Sequence, residues 1–365
     1  MAYILSVGRA IPENELSQET TNEFAKEMFQ DSFKDIERLL TVFKNGEIET
    51  RQFAEKLDWY KEAHTFEEKN NTYIEKAVQL SVKAINNCLQ NKNLLDKGID
   101  CKEIDAIIFI SSTGIATPSI DAKIMNHITF KESTKRIPIW GLGCAGGAAG
   151  LSRAFEYCLA YPDSLVLVVA VELCSLTFQH DDLTKSNLIG TSLFADGVAC
   201  VCLAGNAFNR KSISKLKALP HIQDTRSSFM KDSEDVMGWE IKNNGFYVVF
   251  SRDIPTIVRN WLRPQVIKFL KEHDLTLDAI SHFAAHPGGK KVLEAYQDGL
   301  GLTDRHLQIS KDVLIHHGNM SSVTVMYVIQ DYLEKELGRE SEYGLIGALG
   351  PGFSSELLLV QWESV

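Results

Sequence analysis

The stretch from Arg136 to Leu159 constrains this chain more than any other. The apolar run Arg136-Ile-Pro-Ile-Trp140 predicts a buried strand. It meets Gly141-Leu-Gly-Cys-Ala-Gly-Gly-Ala-Ala-Gly150, and beyond that Leu151, Phe155, Cys158 and Leu159 fall near helical spacing. Cys144 therefore sits where a strand turns into a helix. A thiol at a helix N-terminus faces unpaired backbone N–H groups and the positive end of the dipole, which favour its thiolate. The glycines let the backbone turn tightly and let a substrate approach closely. A nucleophilic cysteine is the first candidate chemistry.

The remaining elements alternate in type. Strands are expected at Tyr3–Val7, Ala106–Ser111, Ser164–Val171, Leu193–Leu203, Phe246–Phe250 and Ala279–Ala285. The run at 164–171 is apolar throughout, so both of its faces should be buried. An Asp196-Gly197 turn is expected near the start of the next strand. Helices are expected at 15–33, 35–43, near 121–128, at 254–272, and at Phe66–Leu89, where Tyr73, Ala77, Leu80, Val82 and Ile85 lie on or near one face. Lys215–Pro220 leads into a loop to Trp239. The chain closes with strand, Gly350-Pro-Gly352 turn and strand. This alternation predicts a layered α/β fold. Each half carries a strand leading to a Gly-rich turn and a helix, so two similar halves are expected. They are residues 1–205, with the cysteine, and 206–365, joined by the polar Asn206–Ser214. At 365 residues the chain can bury a large core of about two domains or halves.

Charge and cysteine usage exclude several classes. A net charge of −10 argues against a nucleic-acid surface, which would need a basic patch or stripe. The seven cysteines are scattered without a C-x-x-C pair, which suggests neither a disulfide framework nor a zinc site. Cys200 and Cys202 alternate in a strand-like run and read as small core residues. The N-terminus lacks the charged and apolar regions of a signal peptide, and no apolar stretch reaches membrane-spanning length. A cytoplasmic protein is expected.

Three loops carry candidate chemistry: the Cys144 turn, His286-Pro-Gly-Gly289 and His317-Gly-Asn319. Each precedes a helix, and the first two follow a strand. Open α/β sheets gather functional loops at the carboxyl ends of strands, so the three can share one crevice. An imidazole can pair with a thiolate, and His286 with Asn319 can hold an oxyanion or enolate. Blander roles exist for each: a small core cysteine, a turn-capping histidine, an N-cap asparagine. The pair His316-His317 could suggest a metal, but adjacent residues point apart and no acidic or Cys cluster accompanies them. Gly141-Leu-Gly143-Cys-Ala-Gly146 also fits a dinucleotide-binding G-x-G-x-x-G, with Glu172 ending the next apolar run. The turn falls late in the chain, Glu172 comes late for that role, and the pattern leaves the His and Asn loops unexplained.

Five motifs occur in order: Gly-Cys-Ala-Gly-Gly at 143–147, Leu-Phe-Ala-Asp-Gly at 193–197, His-Pro-Gly-Gly at 286–289, Gly-Asn-Met-Ser-Ser at 318–322 and Leu-Gly-Pro-Gly-Phe at 349–353. Together, over nearly the whole chain, they resemble the type III polyketide synthases of the chalcone and stilbene synthase superfamily, and within it the bacterial alkylpyrone branch. The resemblance implies a thiolase-like fold of two halves in αβαβα layers, and a homodimer. It maps a catalytic triad onto Cys144, His286 and Asn319. Acyl-CoA and malonyl-CoA are the implied substrates, with no cofactor, metal, nucleic acid or membrane-spanning segment. Phe194 matches a gatekeeping phenylalanine, while the second gatekeeper falls at Val248, so that side of the cavity is expected to be wider. Thr117, Thr177 and Ser321 fall at cavity-lining positions, and Thr117 matches a residue that reaches into the partner's cavity. Gly350, Pro351 and Gly352 match a loop that shapes the cavity, although Phe353-Ser-Ser-Glu departs from the plant pattern. Lys44 and Arg51 lie near the family's CoA-phosphate contacts. Two other readings stay open: a ketoacyl-carrier-protein synthase III-like enzyme making one condensation, and a non-catalytic acyl-binding protein of the same fold.

Overall fold

The computed structural model describes residues 2–250 and 254–365. In chain order the strands are β1 (Ala2–Ala10), β2 (Asn14–Ser17), β3 (Thr50–Phe53), β4 (Ala106–Ser111), β5 (Lys135–Trp140), β6 (Leu165–Leu173) and β7 (Asp196–Gly205). They continue as β8 (Ala218–Phe229), β9 (Met237–Lys242), β10 (Gly245–Phe250), β11 (Ile280–Ala285), β12 (Tyr343–Gly350) and β13 (Ser354–Ser364). The helices are α1 (Gln18–Phe29), α2 (Ile36–Asn45), α3 (Phe66–Leu89), α4 (Ile120–Ile124), α5 (Gly146–Ala160) and α6 (Lys185–Leu193). After them come α7 (Ile254–Ile257), which runs through a π turn into α8 (Arg263–Lys271), then α9 (Lys290–Leu300), α10 (Asp304–His317) and α11 (Thr324–Glu334).

Nine strands form one mixed sheet in the order β11-β12-β13-β8-β1-β7-β6-β4-β5. Its two halves repeat one pattern. β4 and β6 pair parallel, then β6–β7 and β7–β1 antiparallel. β11 and β12 pair parallel, then β12–β13 and β13–β8 antiparallel. The halves join through β1 and β8 at Ala2↔Ile222 and Tyr3↔His221. Between the halves lie α5 and α11, each packed on strands of both. α3 covers the outer face of β1 and β7, and α10 packs outside β11. The layers are therefore helix, sheet, helix, sheet, helix, with one apolar core under the first half and a second under the other.

Local chemistry explains most boundaries. Thr65 and Glu68 form a capping box that starts α3 at Phe66. Every residue of β6 is buried, as its unbroken apolar run requires. Ser17 caps α1 through the Thr20 amide, so the helix begins at Gln18, and 14–17 is strand rather than helix.

Four expectations are corrected. β5 is not a buried strand but the sheet's outermost one, with Trp140 49% exposed. Pro138 has no N–H to donate, which suits an edge and not a centre. Leu193 closes a helix, α6, whose polar Lys-Ser-Asn start hides its type; Thr184 caps it. Asp196-Gly197 is no turn: both lie in β7, where the buried Asp196 carboxylate accepts from the Ala54 amide at 2.6 Å and the Ser175 amide at 2.7 Å. The segment 221–229, expected as loop, continues β8 because it pairs with β13 along its length.

α5 can lie this close to the 318–324 segment only because residue 147 has no side chain. A Cβ at Gly147 would run into the Ser322 carbonyl and fall 2.9 Å from Val325 Cγ1. Gly147→Ala should cost about 1–3 kcal/mol of stability through overpacking. Gly238→Ala, where a Cβ would meet nothing within 4 Å, should stay within about 0.5 kcal/mol of the native protein. Thermal melts of the two variants check this; equal melting temperatures would contradict the packing described.

Candidate active site

The strand ends and α11 bring the chemistry together. β5 runs out through Gly141 into the one-turn 143–145 helix that carries Cys144, just ahead of α5. β11 ends at Ala285, and His286 follows, its amide donating to the Gly347 carbonyl of β12 at 2.8 Å. Asn319 follows α10, its amide donating to the Leu193 carbonyl and its carbonyl accepting from Ala195, both at 2.9 Å. All three side chains line one cavity of about 610 Å³, within the usual range for small-molecule sites.

Each group is held from behind. Asn319 Nδ2 donates one hydrogen to the Gly288 carbonyl at 2.9 Å, and its Oδ1 accepts from the Ser321 amide at 2.8 Å. The second Nδ2 hydrogen is left for the cavity. Neither ring nitrogen of His286 has a partner among the described residues, so the buried imidazole can donate to or accept from an occupant. Gly143 holds φ at +48°, and a Cβ there would strike Pro351 Cδ at 2.6 Å, so the cysteine turn nests on the 350–352 loop. Gly143 N also donates to Ser112 Oγ at 2.9 Å. Behind these, Glu172 accepts from the Ser112 amide, Thr113 Oγ1 and Ser322 Oγ. It is fully buried and its two oxygens are committed, so it cannot serve a ribose as the dinucleotide pattern would require. Burial raises its pKa to about 7.

The same desolvation acts on the reacting pair. Burial pushes the Cys144 thiol up to about 12; the nearby polar side chains of Ser321 and Asn319 oppose this, and the Glu172 carboxylate adds to it. Burial pulls the His286 imidazole down to about 3. Burial thus opposes the charged form of each group taken alone, against the helix N-terminus and the imidazole that favour a thiolate.

The other expected residues divide into those the cavity gathers and those it does not. Phe194, Val248, Ser321 and Pro351 line it. Gly350 and Gly352 flank Pro351, with Gly350 packed behind the cysteine turn. Thr177 is buried behind Phe194 in a small second pocket, its hydroxyl donating to the Cys174 carbonyl at 2.7 Å. Thr117 is exposed on the 113–119 loop, outside both cavities. Lys44 is exposed on the last turn of α2, beside the mouth. Arg51 is corrected: it is fully buried and its guanidinium is engaged by backbone carbonyls, so it cannot meet a CoA phosphate.

The Val248 side of the cavity also carries aromatic rings. Trp239, directly across the β9–β10 hairpin from Val248, packs on Phe194 at 5.7 Å between ring centroids. Phe250 packs on the same ring at 5.7 Å. Residues two apart on a strand share a face, and a cross-strand partner adds to it; only the hairpin register reveals both. Lys185, Lys290 and Lys291 rim the mouth and were likewise missed. They open α6 and α9, two helix N-termini, and Lys290 pairs with Glu47 at 2.6 Å. Among the described residues no cluster of three or more His, Cys, Asp or Glu could hold a metal, and no helix is long and apolar enough to cross a membrane.

Comparison with known proteins places this geometry. The family of chalcone and stilbene synthases matches through its N-terminal domain over residues 1–207 and its C-terminal domain over 221–363. A Bacillus subtilis (strain 168) protein provisionally named chalcone synthase is 56% identical over 363 residues, covering 100% of this chain and 99% of its own. The 1,3,6,8-tetrahydroxynaphthalene synthase of Streptomyces peucetius subsp. caesius is 33% identical over 98% of this chain and 93% of its own. The crystal structure of the Streptomyces coelicolor A3(2) 1,3,6,8-tetrahydroxynaphthalene synthase, a bacterial type III polyketide synthase, superposes with a TM-score of 0.91, 26% identity and full coverage of both chains. The chain belongs to the chalcone and stilbene synthase family, the type III polyketide synthases. It is an enzyme of CoA-dependent condensation with a thiolase-like α/β fold.

The shared cavity of Cys144 and His286 generates a test. Thiolate and imidazolium are each penalised alone, but one proton transfer creates both together, and each offsets part of the other's cost. Without an imidazole, the raised thiol pKa moves further up, so the thiolate appears only at higher pH. Iodoacetamide labelling of Cys144 near neutral pH should therefore be at least about tenfold slower in His286→Gln than in the native enzyme, one unit of pKa being a factor of ten. The rates should converge at high pH. Superposed profiles would show that His286 does not share the thiol's proton.

Proposed function

We propose that this enzyme loads a fatty acyl group from its CoA thioester onto Cys144, extends it with a few malonyl units and releases alkylpyrones. One observation carries the reading: Cys144, His286 and Asn319 converge on a single cavity whose walls are apolar and whose mouth is cationic.

Loading begins as the Cys144 thiol passes its proton to His286 and Sγ attacks the thioester carbonyl. CoA leaves as a thiol, taking the proton back. Malonyl-CoA then enters, its thioester oxygen facing the His286 ring N–H and the free Asn319 Nδ2–H. Loss of CO₂ leaves an enolate that these two neutral donors stabilise. A lowered histidine pKa suits this step, since the imidazole keeps one N–H without becoming an acid. The enolate carbon attacks the acyl carbonyl on Cys144, and the cysteine sulfur departs, leaving the lengthened β-ketoacyl chain on CoA. Transfer back to Cys144 permits another round. Finally an enol oxygen of the chain attacks its own thioester carbonyl, closing a lactone and expelling the thiol. CO₂ loss supplies the nucleophile, so neither cofactor nor strong base is needed.

Ile189, Leu193, Val236 and Met237 give the cavity an aliphatic lining suited to an alkyl starter. Trp239 and Phe250 brace the Phe194 gate and limit the space for extension. Ile115 and Trp140, 45% and 49% exposed beside Thr117, make an apolar face for a second copy, so a homodimer belongs to this reading. A free-thiol nucleophile suits a reducing cytoplasm. Family membership removes the non-catalytic alternative, and product mass separates the single-condensation one.

Liquid chromatography with mass spectrometry of reactions with fatty acyl-CoA and malonyl-CoA should give a triketide pyrone from the native enzyme and none from Cys144→Ala. A lone β-ketoacyl thioester would favour single condensation. A naphthalene built from malonyl units alone would overturn the fatty starter. Replacing Lys185, Lys290 and Lys291 together by Ala should raise KM for malonyl-CoA about tenfold or more at low salt, with the gap narrowing as salt is added and kcat little changed. An unchanged KM would place the CoA phosphates elsewhere.

A further inference from the structure

Arg51, expected near the CoA phosphates, lies instead between the end of α6 and the Gly318 turn. Its side chain is fully buried. Nη1 donates to the Thr191 carbonyl at 2.7 Å and the Phe194 carbonyl at 2.9 Å, at the C-terminal end of α6. Nη2 donates to Gln18 Oε1 at 2.7 Å. Gln18 in turn donates from Nε2 to the Phe43 and Ser192 carbonyls at 3.1 and 3.2 Å. A planar, forked cation at a helix C-terminus meets several carbonyls at once, which a lysine's point charge cannot reproduce.

The stem of the same side chain supports the catalytic turn. A Cβ at Gly318, where φ is +66°, would fall 2.7 Å from Arg51 Cδ, so the turn rests directly on it. Asn319 comes next, and its backbone brackets Phe194 through Leu193 and Ala195. One buried side chain therefore touches both the segment that carries the acyl gate and the turn that carries the amide donor. Asp196 lies near enough to favour the guanidinium's charge, which burial opposes; the pKa falls to about 9, so the group is still cationic at neutral pH.

We propose that Arg51 is a positioning residue for the condensation site, holding the Phe194 segment through its guanidinium and the Gly318-Asn319 turn through its stem. This rests on the catalytic roles given under Proposed function. The enolate donor must sit within a few tenths of an ångström of its productive place, and loss of that support lowers the rate without weakening binding.

The test compares Arg51→Gln, Arg51→Lys and Gln18→Ala with the native enzyme. Malonyl-CoA decarboxylation and condensation are measured on enzyme shown to be folded by a cooperative thermal melt, so that misfolded molecules do not count. Arg51→Gln should lose about tenfold or more in kcat with KM for malonyl-CoA within about threefold, and Arg51→Lys should recover part of the loss. Native kcat in folded Arg51→Gln would overturn the proposal. If Arg51→Gln does not fold, Gln18→Ala decides: a lower kcat at unchanged KM supports positioning, and a native kcat refutes it. If the native enzyme itself does not decarboxylate malonyl-CoA, the assigned chemistry fails and this inference with it; a native enzyme that does so beside an equally active Arg51→Gln isolates the failure to Arg51.

Discussion

The close approach of the cysteine turn and α5 to the loops of the other half is the contact on which the site depends. Gly147 leaves no side chain between α5 and Ser322, and Gly143 lets the turn settle on Pro351. That contact places a nucleophile from the first half against an imidazole and an amide from the second. Each half-sheet alone ends in an ordinary strand-to-helix crossover. Packed back to back across α5 and α11, the crossovers enclose one cavity.

Enclosure then sets the electrostatics. His286 is buried and Cys144 partly so, and burial disfavours the charged form of each taken alone. A helix N-terminus can lower a thiol's pKa, yet here the helical turn is short and the carboxylate of Glu172 stands nearby. Charge that develops in the cavity meets fixed N–H donors. Such donors act most strongly in a dry site, because no solvent must reorganise around the new charge.

Much of this was legible in the sequence because it is written locally. β4, α3 and the all-buried β6 follow from periodicity and caps. Cys144, His286 and Asn319 were marked by glycine-rich turns at the starts of helices, and their meeting followed from the sheet rule. What was missed depends on contacts between distant residues. Arg51 looks like any surface cation until α6 is seen to end above it. Pro138 was the signal, passed over, that β5 is an edge. Trp239 and Phe250 sit in the gate only because of the β9–β10 register, and α6 was hidden by polar residues that tertiary packing overrides.

The central claim is that Cys144 carries the acyl chain within this enclosed site. Incubation with a fatty acyl-CoA alone, followed by digestion and mass spectrometry of the Cys144 peptide, tests it directly. The account predicts one acyl group per chain, on Cys144, released by hydroxylamine as a thioester would be. No adduct, or an adduct on another of the seven cysteines with Cys144 free, would contradict it.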